Sequence, residues 1–170
     1  FTRLSIGIQD FDPAVQQRIN RIQDESSIEK LMREARSVGF RSVSFDLIYG
    51  LPLQTPESFA ATLAKVVALA PDRLSVFNYA HLPELFAAQR KIKSHELPSA
   101  GQKLVILQQS IATLTAAGHC HIGMDHFALP QDELAIAQRE GKLHRNFQGH
   151  TTQGECDLLG LGVLALCYLG

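Results

Sequence analysis

Cysteine is scarce in this chain. Cys120, Cys156 and Cys167 are its three cysteines. They stand far apart and form no Cys-x2-Cys pair, which excludes a disulfide framework and a thiolate zinc site of usual spacing. A reducing cytoplasm fits such usage. No apolar run reaches the roughly 18 residues of a membrane span, and no charged-then-apolar signal pattern opens the chain. Neither sign of charge is in excess: 16 Lys and Arg against 17 Asp and Glu leave a net charge of -1. That balance gives no electrostatic case for nucleic acid or a membrane surface as the main partner. Linkers and low-complexity segments are missing too, as are a Gly-rich phosphate loop, a Gly-x-Ser-x-Gly elbow and a His-Glu-x-x-His zinc helix.

What is present is one domain's worth of soluble chain: 170 residues, 45% of them apolar, enough to bury a real core. Strand-like runs recur at residues 4–9, 43–48, 74–77, 119–123 and 159–166, and helical patterns separate them. A short helix is predicted after Asp12-Pro13, with Asp as cap and Pro at the first helical position. A second spans residues 27–38 and stops at Gly39. A third opens at Thr55-Pro56-Glu57 and carries Phe59, Leu63, Val66, Val67 and Leu69 on one side. A fourth spans residues 102–117, with Leu104, Leu107, Ile111 and Leu114 at helical spacing and Gly118 as its cap. This alternation implies parallel strands joined by right-handed crossover helices in an α/β fold, an open sheet or part of a barrel. The chain begins within one strand-like run and stops within an apolar one, so a piece of a larger protein is expected.

In either architecture ligands sit at the carboxyl ends of the strands. Those ends are polar: Gly7-Ile8-Gln9-Asp10-Phe11, Asp46-Leu47-Ile48-Tyr49-Gly50-Leu51-Pro52, Phe77-Asn78-Tyr79-Ala80-His81 and Met124-Asp125-His126-Phe127. Gln9 offers an amide, Asp46 an acceptor for hydroxyls or an ammonium, and Arg21 a fork suited to a carboxylate. Together they suit a zwitterionic, nucleoside-like ligand. Taken singly, Gln9 and Asp46 can cap the following turns, and Arg21 can pair with Asp24 or Glu25. Residues 123–154 gather Asp125, His126, His144, Arg145, Asn146, His150 and Thr151 in connecting segments, as a pocket for an anionic ligand or as a solvated hairpin. His119 and His121 flank Cys120 and, with Asp125 and His126, are either a metal site or satisfied histidines. Gly160-Leu161-Gly162-Val163 is too short a pattern to name a dinucleotide site and marks a bend.

At these residues the chain resembles the oxygen-independent coproporphyrinogen III oxidases (coproporphyrinogen dehydrogenases) of the radical S-adenosylmethionine (SAM) superfamily. The resemblance runs through Gly7-Ile8-Gln9-Asp10-Phe11, Asn20-Arg21-Ile22-Gln23, the Asp46 to Pro52 segment, Ser75-Val76-Phe77-Asn78-Tyr79-Ala80-His81-Leu82-Pro83 and Leu143-His144-Arg145-Asn146-Phe147-Gln148-Gly149. The Asp-Leu-Ile-Tyr-Gly-Leu-Pro segment is shared with the related haem chaperones, which bind and transfer haem and are the alternative. Asn-Tyr-Ala-His-Leu-Pro and Met-Asp-His-Phe discriminate between the two.

The resemblance implies the later half of a partial (β/α) radical SAM barrel, with crossover helices and extra sheet-extending strands, as one domain over residues 1–170. It implies oxidative decarboxylation of two propionates of coproporphyrinogen III to vinyls, giving protoporphyrinogen IX, by a SAM-derived deoxyadenosyl radical. The implied cofactors are a [4Fe-4S] cluster and two SAM molecules, and an electron donor must serve the cluster. The full-length form is expected to be a cytoplasmic monomer. Gln9, Arg21, Asp46 and the backbone at Ala80 match contacts to the second SAM, and Leu166 a contact to the cluster-bound one. His144, Arg145 and Asn146 are candidates for the propionates, with pairing of Arg145 to Glu155 as the alternative. The chain departs from the family at the Cys-x3-Cys-x2-Cys loop, which is expected upstream of Phe1 with the glycine-rich SAM-binding strand end. The isolated segment is therefore expected to be inactive, with exposed sheet edges. It departs also at His150, where the family has Tyr, and at Leu164, a position otherwise small and polar.

Overall fold

The computed structural model describes residues 1–146, 149–154, 156–157 and 159–162. Strands β1 (Arg3–Gln9), β2 (Ser42–Tyr49) and β3 (Arg73–Asn78) form a parallel sheet. Helices α1 (Pro13–Arg18) and α2 (Glu25–Ser37) cross from β1 to β2, and α3 (Pro56–Leu69) crosses from β2 to β3. After two 3-10 turns, α4 (Ala100–Ala116) leads to β4 (Cys120–Gly123) and β5 (His126–Ala128). Helix α5 (Glu133–Arg139) and a separate two-stranded ribbon, β6 (His144–Asn146) with β7 (Gly149–Thr151), follow. No helix among the described residues is long and apolar enough to cross a membrane.

Local chemistry sets the helix starts. Asp12 accepts the Ala14 and Val15 amides at 2.8 and 3.1 Å, with Pro13 at the first helical position. Asp24 accepts the Ser27 amide, and Thr55 with Ser58 and Ser99 with Gln102 make reciprocal capping boxes. Each cap satisfies amides that a helix start leaves without an internal partner.

The strands alternate strictly. Ile6, Ile8, Val43, Phe45, Leu47, Leu74 and Val76 point to one side and form the core with Ile28 and Met32 of α2, Phe59, Leu63 and Val66 of α3, and Ile106 and Leu114 of α4. Each such side chain, fully buried, contributes about 1.5–3 kcal/mol. The alternate residues Arg3, Ser5, Gly7, Ser42, Ser44, Asp46, Arg73 and Ser75 occupy the opposite face, a polar one.

Several expectations shift. The expected run at 119–123 does not pair directly with β3. The chain turns back at Met124-Asp125, and β5 lies antiparallel between β3 and β4, giving the order β1-β2-β3-β5-β4. Gly123 and Met124 both hold positive φ (137° and 51°) and permit that tight reversal. On α4 the buried positions are Ile106, Ser110 and Leu114, while Leu104 is 56% exposed; Leu107 and Ile111 pack at the core's margin. The expected strand at 159–166 is not found at 159–162, which is irregular, and its remainder lies outside the described residues. Helix α5 was not expected. Its seven residues sit between polar segments, where Asp132 caps it by accepting the Leu134 amide.

Behind the β1 and β2 ends lies a buried polar knot. The Asp10 carboxylate accepts from the Thr62 hydroxyl, from Gln54 Nε2 at 2.5 Å and from the Asp12 amide at 2.9 Å. Burial pushes the Asp10 carboxyl above its ordinary pKa, against these hydrogen bonds. The native state therefore holds this proton more tightly than the unfolded chain, so the group's stabilising contribution is fullest below the unfolded pKa and is lost as pH rises through the folded one. Asp10→Ala is expected to cost about 3 kcal/mol by stranding three donors. Urea denaturation should show a larger loss near pH ~4 than at neutrality.

Candidate functional site

Three of the residues singled out from sequence converge at the carboxyl end of β1. Gln9 closes the strand with φ 61°, which turns its side chain back over Gly7. Arg21 reaches the same place from the loop after α1, its Nη2 donating to the Gly7 carbonyl at 2.9 Å. A Cβ at Gly7 would lie 2.9 Å from Arg21 Nη2 and 3.0 Å from Gln9 Nε2, so only glycine leaves room for both side chains. Asp46 is the β2 partner of Gly7 in register, and its Oδ2 accepts from Ser5 Oγ at 2.9 Å. The alternatives of turn capping and of a surface pair are set aside by this geometry. Asp12 caps α1, Asp46 sits within β2, and Glu25 pairs with Lys65 at 2.8 Å.

Sequence reasoning missed what holds this arrangement. Gln16, buried, donates to the Asp10 carbonyl at 2.9 Å and accepts the Gln23 amide at 3.1 Å, while its own carbonyl takes the Arg21 amide at 2.9 Å. The loop carrying Arg21 is thereby tied to the end of β1. Gln54 does the same for the turn after β2, accepting the Gly50 and Leu51 amides. A glutamine next to Val15 within α1, as Gln16 is, was the available signal.

The backbone at Ala80 lies past the end of β3 and is clamped by Gln89, which donates to the Ala80 carbonyl at 3.1 Å and accepts the Leu82 amide at 2.5 Å. Lys103 donates to the Tyr79 carbonyl at 3.3 Å.

A cavity of about 870 Å³ opens over the polar sheet face, between it and the β6–β7 ribbon. Asp46, Ser75, Phe77 and His126 line its floor, and Asn146, His150 and Thr151 its roof. Its size is that of a ligand pocket. Of the substrate candidates, Asn146 lines it. Arg145 is the register partner of His150 and is exposed, and the His144 ring packs against Gly154. Leu166 and Glu155 lie outside the described residues, as does Leu164. A smaller cavity of about 280 Å³ lies at the opposite strand ends, where Arg73 pairs with Asp132 and Arg36 with Asp72.

Each histidine flanking Cys120 has one ring nitrogen within hydrogen-bond distance of a backbone carbonyl. His119 is buried with Nε2 3.2 Å from the Pro71 carbonyl oxygen; His121 stacks on Phe127 and lies 2.9 Å from the Met124 carbonyl oxygen. Among the described residues no group of three or more His, Cys, Asp or Glu is arranged to hold a metal ion.

Comparison with known proteins matches residues 1–66 to the radical SAM superfamily. Over all 170 residues the chain is 66% identical to the oxygen-independent coproporphyrinogen III oxidase of Salmonella typhimurium and 65% identical to that of Escherichia coli. A solved Escherichia coli coproporphyrinogen III oxidase, described as a radical SAM enzyme, superposes with a TM-score of 0.93 at 66% identity, over 98% of this chain and 38% of that one. The resemblance to the oxygen-independent coproporphyrinogen III oxidases is borne out. So is the fold, an α/β segment of a radical SAM barrel. The chain spans 37% of the length of the Salmonella and Escherichia coli oxidases. None of these oxidases is named as a haem chaperone.

Gly7→Ala is expected to push Arg21 and Gln9 apart without touching the core. Thermal denaturation should shift little, whereas a crystal structure of the variant should show Arg21 Nη2 withdrawn from the residue 7 carbonyl that it meets at 2.9 Å here.

Proposed function

We propose that this chain is the part of an oxygen-independent coproporphyrinogen III oxidase that holds one SAM molecule and one side of the tetrapyrrole. The observation that carries this reading is the convergence of Gln9, Arg21 and Asp46 around Gly7, in a chain 66% identical to a named oxidase throughout its length.

The residues suit SAM. Gln9 Oε1 is buried without a hydrogen-bond partner, and such an atom is costly unless a ligand donates to it. Arg21 spends one donor on Gly7, which leaves the rest of its fork for the methionine carboxylate. Asp46 takes a ribose hydroxyl or the α-ammonium, and the clamped backbone at Ala80 faces an adenine edge. Leu166 contributes a contact to the other SAM. Bound together in the whole protein, SAM and the cluster would supply the radical chemistry for attack on a propionate, and the residues of this chain would hold and orient the molecules around it.

This chain's own residues bind and orient. His144, Arg145 and Asn146 lie on the ribbon over the cavity and serve the propionates of coproporphyrinogen III. The [4Fe-4S] cluster has no ligand set among residues 1–170, since no Cys-x3-Cys-x2-Cys occurs in them. No step is therefore assigned to Cys120 or Cys156. The whole protein acts as a monomer in an anaerobic cytoplasm, with an electron donor for its cluster and protoporphyrinogen IX as its product.

Arg21→Ala and Asp46→Ala, made in the whole protein and assayed for vinyl formation under anaerobic reducing conditions, are expected to lose ten-fold or more of turnover, about what a lost charged hydrogen bond removes. Turnover equal to the unsubstituted protein would contradict the assignment.

A further inference from the structure

Register carries the polar floor further than the SAM-facing residues. Gly7 pairs with Asp46, Asp46 with Ser75, and Ser75 with His126, so the four form one rung across β1, β2, β3 and β5. Strands lie about 4.8 Å apart, which puts His126 roughly 10 Å from Asp46 along that rung. The SAM-facing group occupies one end of it. At the other end His126 meets His150 of the ribbon, ring centroids 5.4 Å apart and rings nearly perpendicular, and the edge of Phe77 closes the far side at 6.1 Å.

The two histidines are seated through glycines. His126 lies against Gly149, where a Cβ would come within 3.0 Å of its Nε2, and His150 lies against Gly123, where a Cβ would come within 3.4 Å. Strand and ribbon thus exchange one imidazole for one glycine each. In spite of this close seating His126 Nδ1 and both nitrogens of His150 are shut off from solvent and have no hydrogen-bond partner. Three unmet nitrogens in the wall of one cavity are a large deficit, because buried polar atoms are nearly always paired. Both histidines line the cavity, and the outer torsion of a histidine is soft enough for a ring to reorient toward an entering ligand. The Arg145 side chain, opposite His150 in the ribbon, adds a cation on that side.

We infer that His126 and His150 form a carboxylate-binding subsite that receives a propionate of the tetrapyrrole, the shared proton being taken up from solvent as the carboxylate enters. The inference rests on the function proposed above. A carboxylate accepts two or more hydrogen bonds and supplies the charge that a protonated imidazole needs. The groups facing His126 are His150 on β7, Asp46 on β2, Asp125 in the β4–β5 turn and Arg145 on β6. Burial first, then His150 and Arg145, hold the empty His126 below the ordinary histidine pKa, with Asp125 and Asp46 opposing. An entering carboxylate raises it. Between those two values binding takes up a proton, and affinity falls as pH rises through that window.

The test uses the whole protein carrying this chain and coproporphyrin III, the fluorescent oxidised counterpart of the substrate with the same propionates, with its tetramethyl ester as control. Coproporphyrin affinity is expected to fall about ten-fold between about pH 6 and pH 8, with proton uptake seen by calorimetry in buffers of different ionisation enthalpy. His126→Gln and His150→Gln should each weaken binding about ten-fold near pH ~6 and flatten the profile, while SAM affinity stays unchanged. The ester should respond neither to pH nor to the substitutions. Coproporphyrin bound equally well by the variants, with the pH slope retained, would overturn the subsite while leaving the function standing. Failure of the unsubstituted protein to bind coproporphyrin while it binds SAM would overturn the function and the subsite with it. If both variants lose SAM as well, the unsubstituted protein still decides, since binding without proton uptake overturns the subsite.

Discussion

Each strand of the parallel sheet answers to two environments at once, and the rest of the molecule follows from that constraint. One side of β1, β2 and β3 must bury Ile, Val, Phe and Leu under the helices, while the other carries Ser, Asp and Arg toward a cavity. A parallel sheet covered by helices on both faces reads as an unbroken apolar run. Here the strict alternation makes a one-residue slip prohibitive, because it would send Phe45 and Leu47 into the cavity and Asp46 into the core. Register is thereby fixed. A fixed register is what lines up Gly7, Asp46, Ser75 and His126 as a single rung on which a ligand can be measured out.

The sheet's polar face would be of little use if its loops wandered. Asp10, Gln16, Gln54 and Thr62, all buried, tie the ends of β1 and β2 to α1 and α3 by hydrogen bonds that leave no slack in the turns carrying Gln9 and Arg21. Burying a carboxylate is costly, and Asp10 carries that cost in its raised pKa. A strained residue stands beside it: Gln9 holds a left-handed backbone that a side chain beyond Gly, Asn or Asp seldom adopts. Cost and strain of this kind gather where a site is being shaped.

Much of this was legible beforehand, for reasons that can be named. The crossover helices could be read because Asp12-Pro13, Thr55-Pro56 and the apolar stripe of α3 are local signals. Gln9 and Asp46 could be picked out because polar residues at the ends of parallel strands stand out in α/β folds, and Arg21 because it lies in a segment that the resemblance runs through. The reversal at Met124-Asp125 was hidden because β4 and β5 total seven residues, too few for periodicity to separate two strands from one. Leu104 misled because an apolar residue one turn from the core obeys helical spacing whether or not a partner covers it. The pairing of His126 with His150 could not be read at all: it joins residues 24 positions apart, one in the five-stranded sheet and one in the ribbon, and no local rule encodes such a meeting.

Gln9, Arg21 and Asp46 around Gly7 are proposed to form a SAM site distinct from the cluster. An anaerobic crystal structure of the whole protein with its cluster and SAM tests it directly. A SAM molecule is expected whose carboxylate meets the Arg21 guanidinium and whose ribose or ammonium meets Asp46, at hydrogen-bond distances of about 3 Å. A structure saturated with SAM that shows only water at Gln9, Arg21 and Asp46 would contradict it.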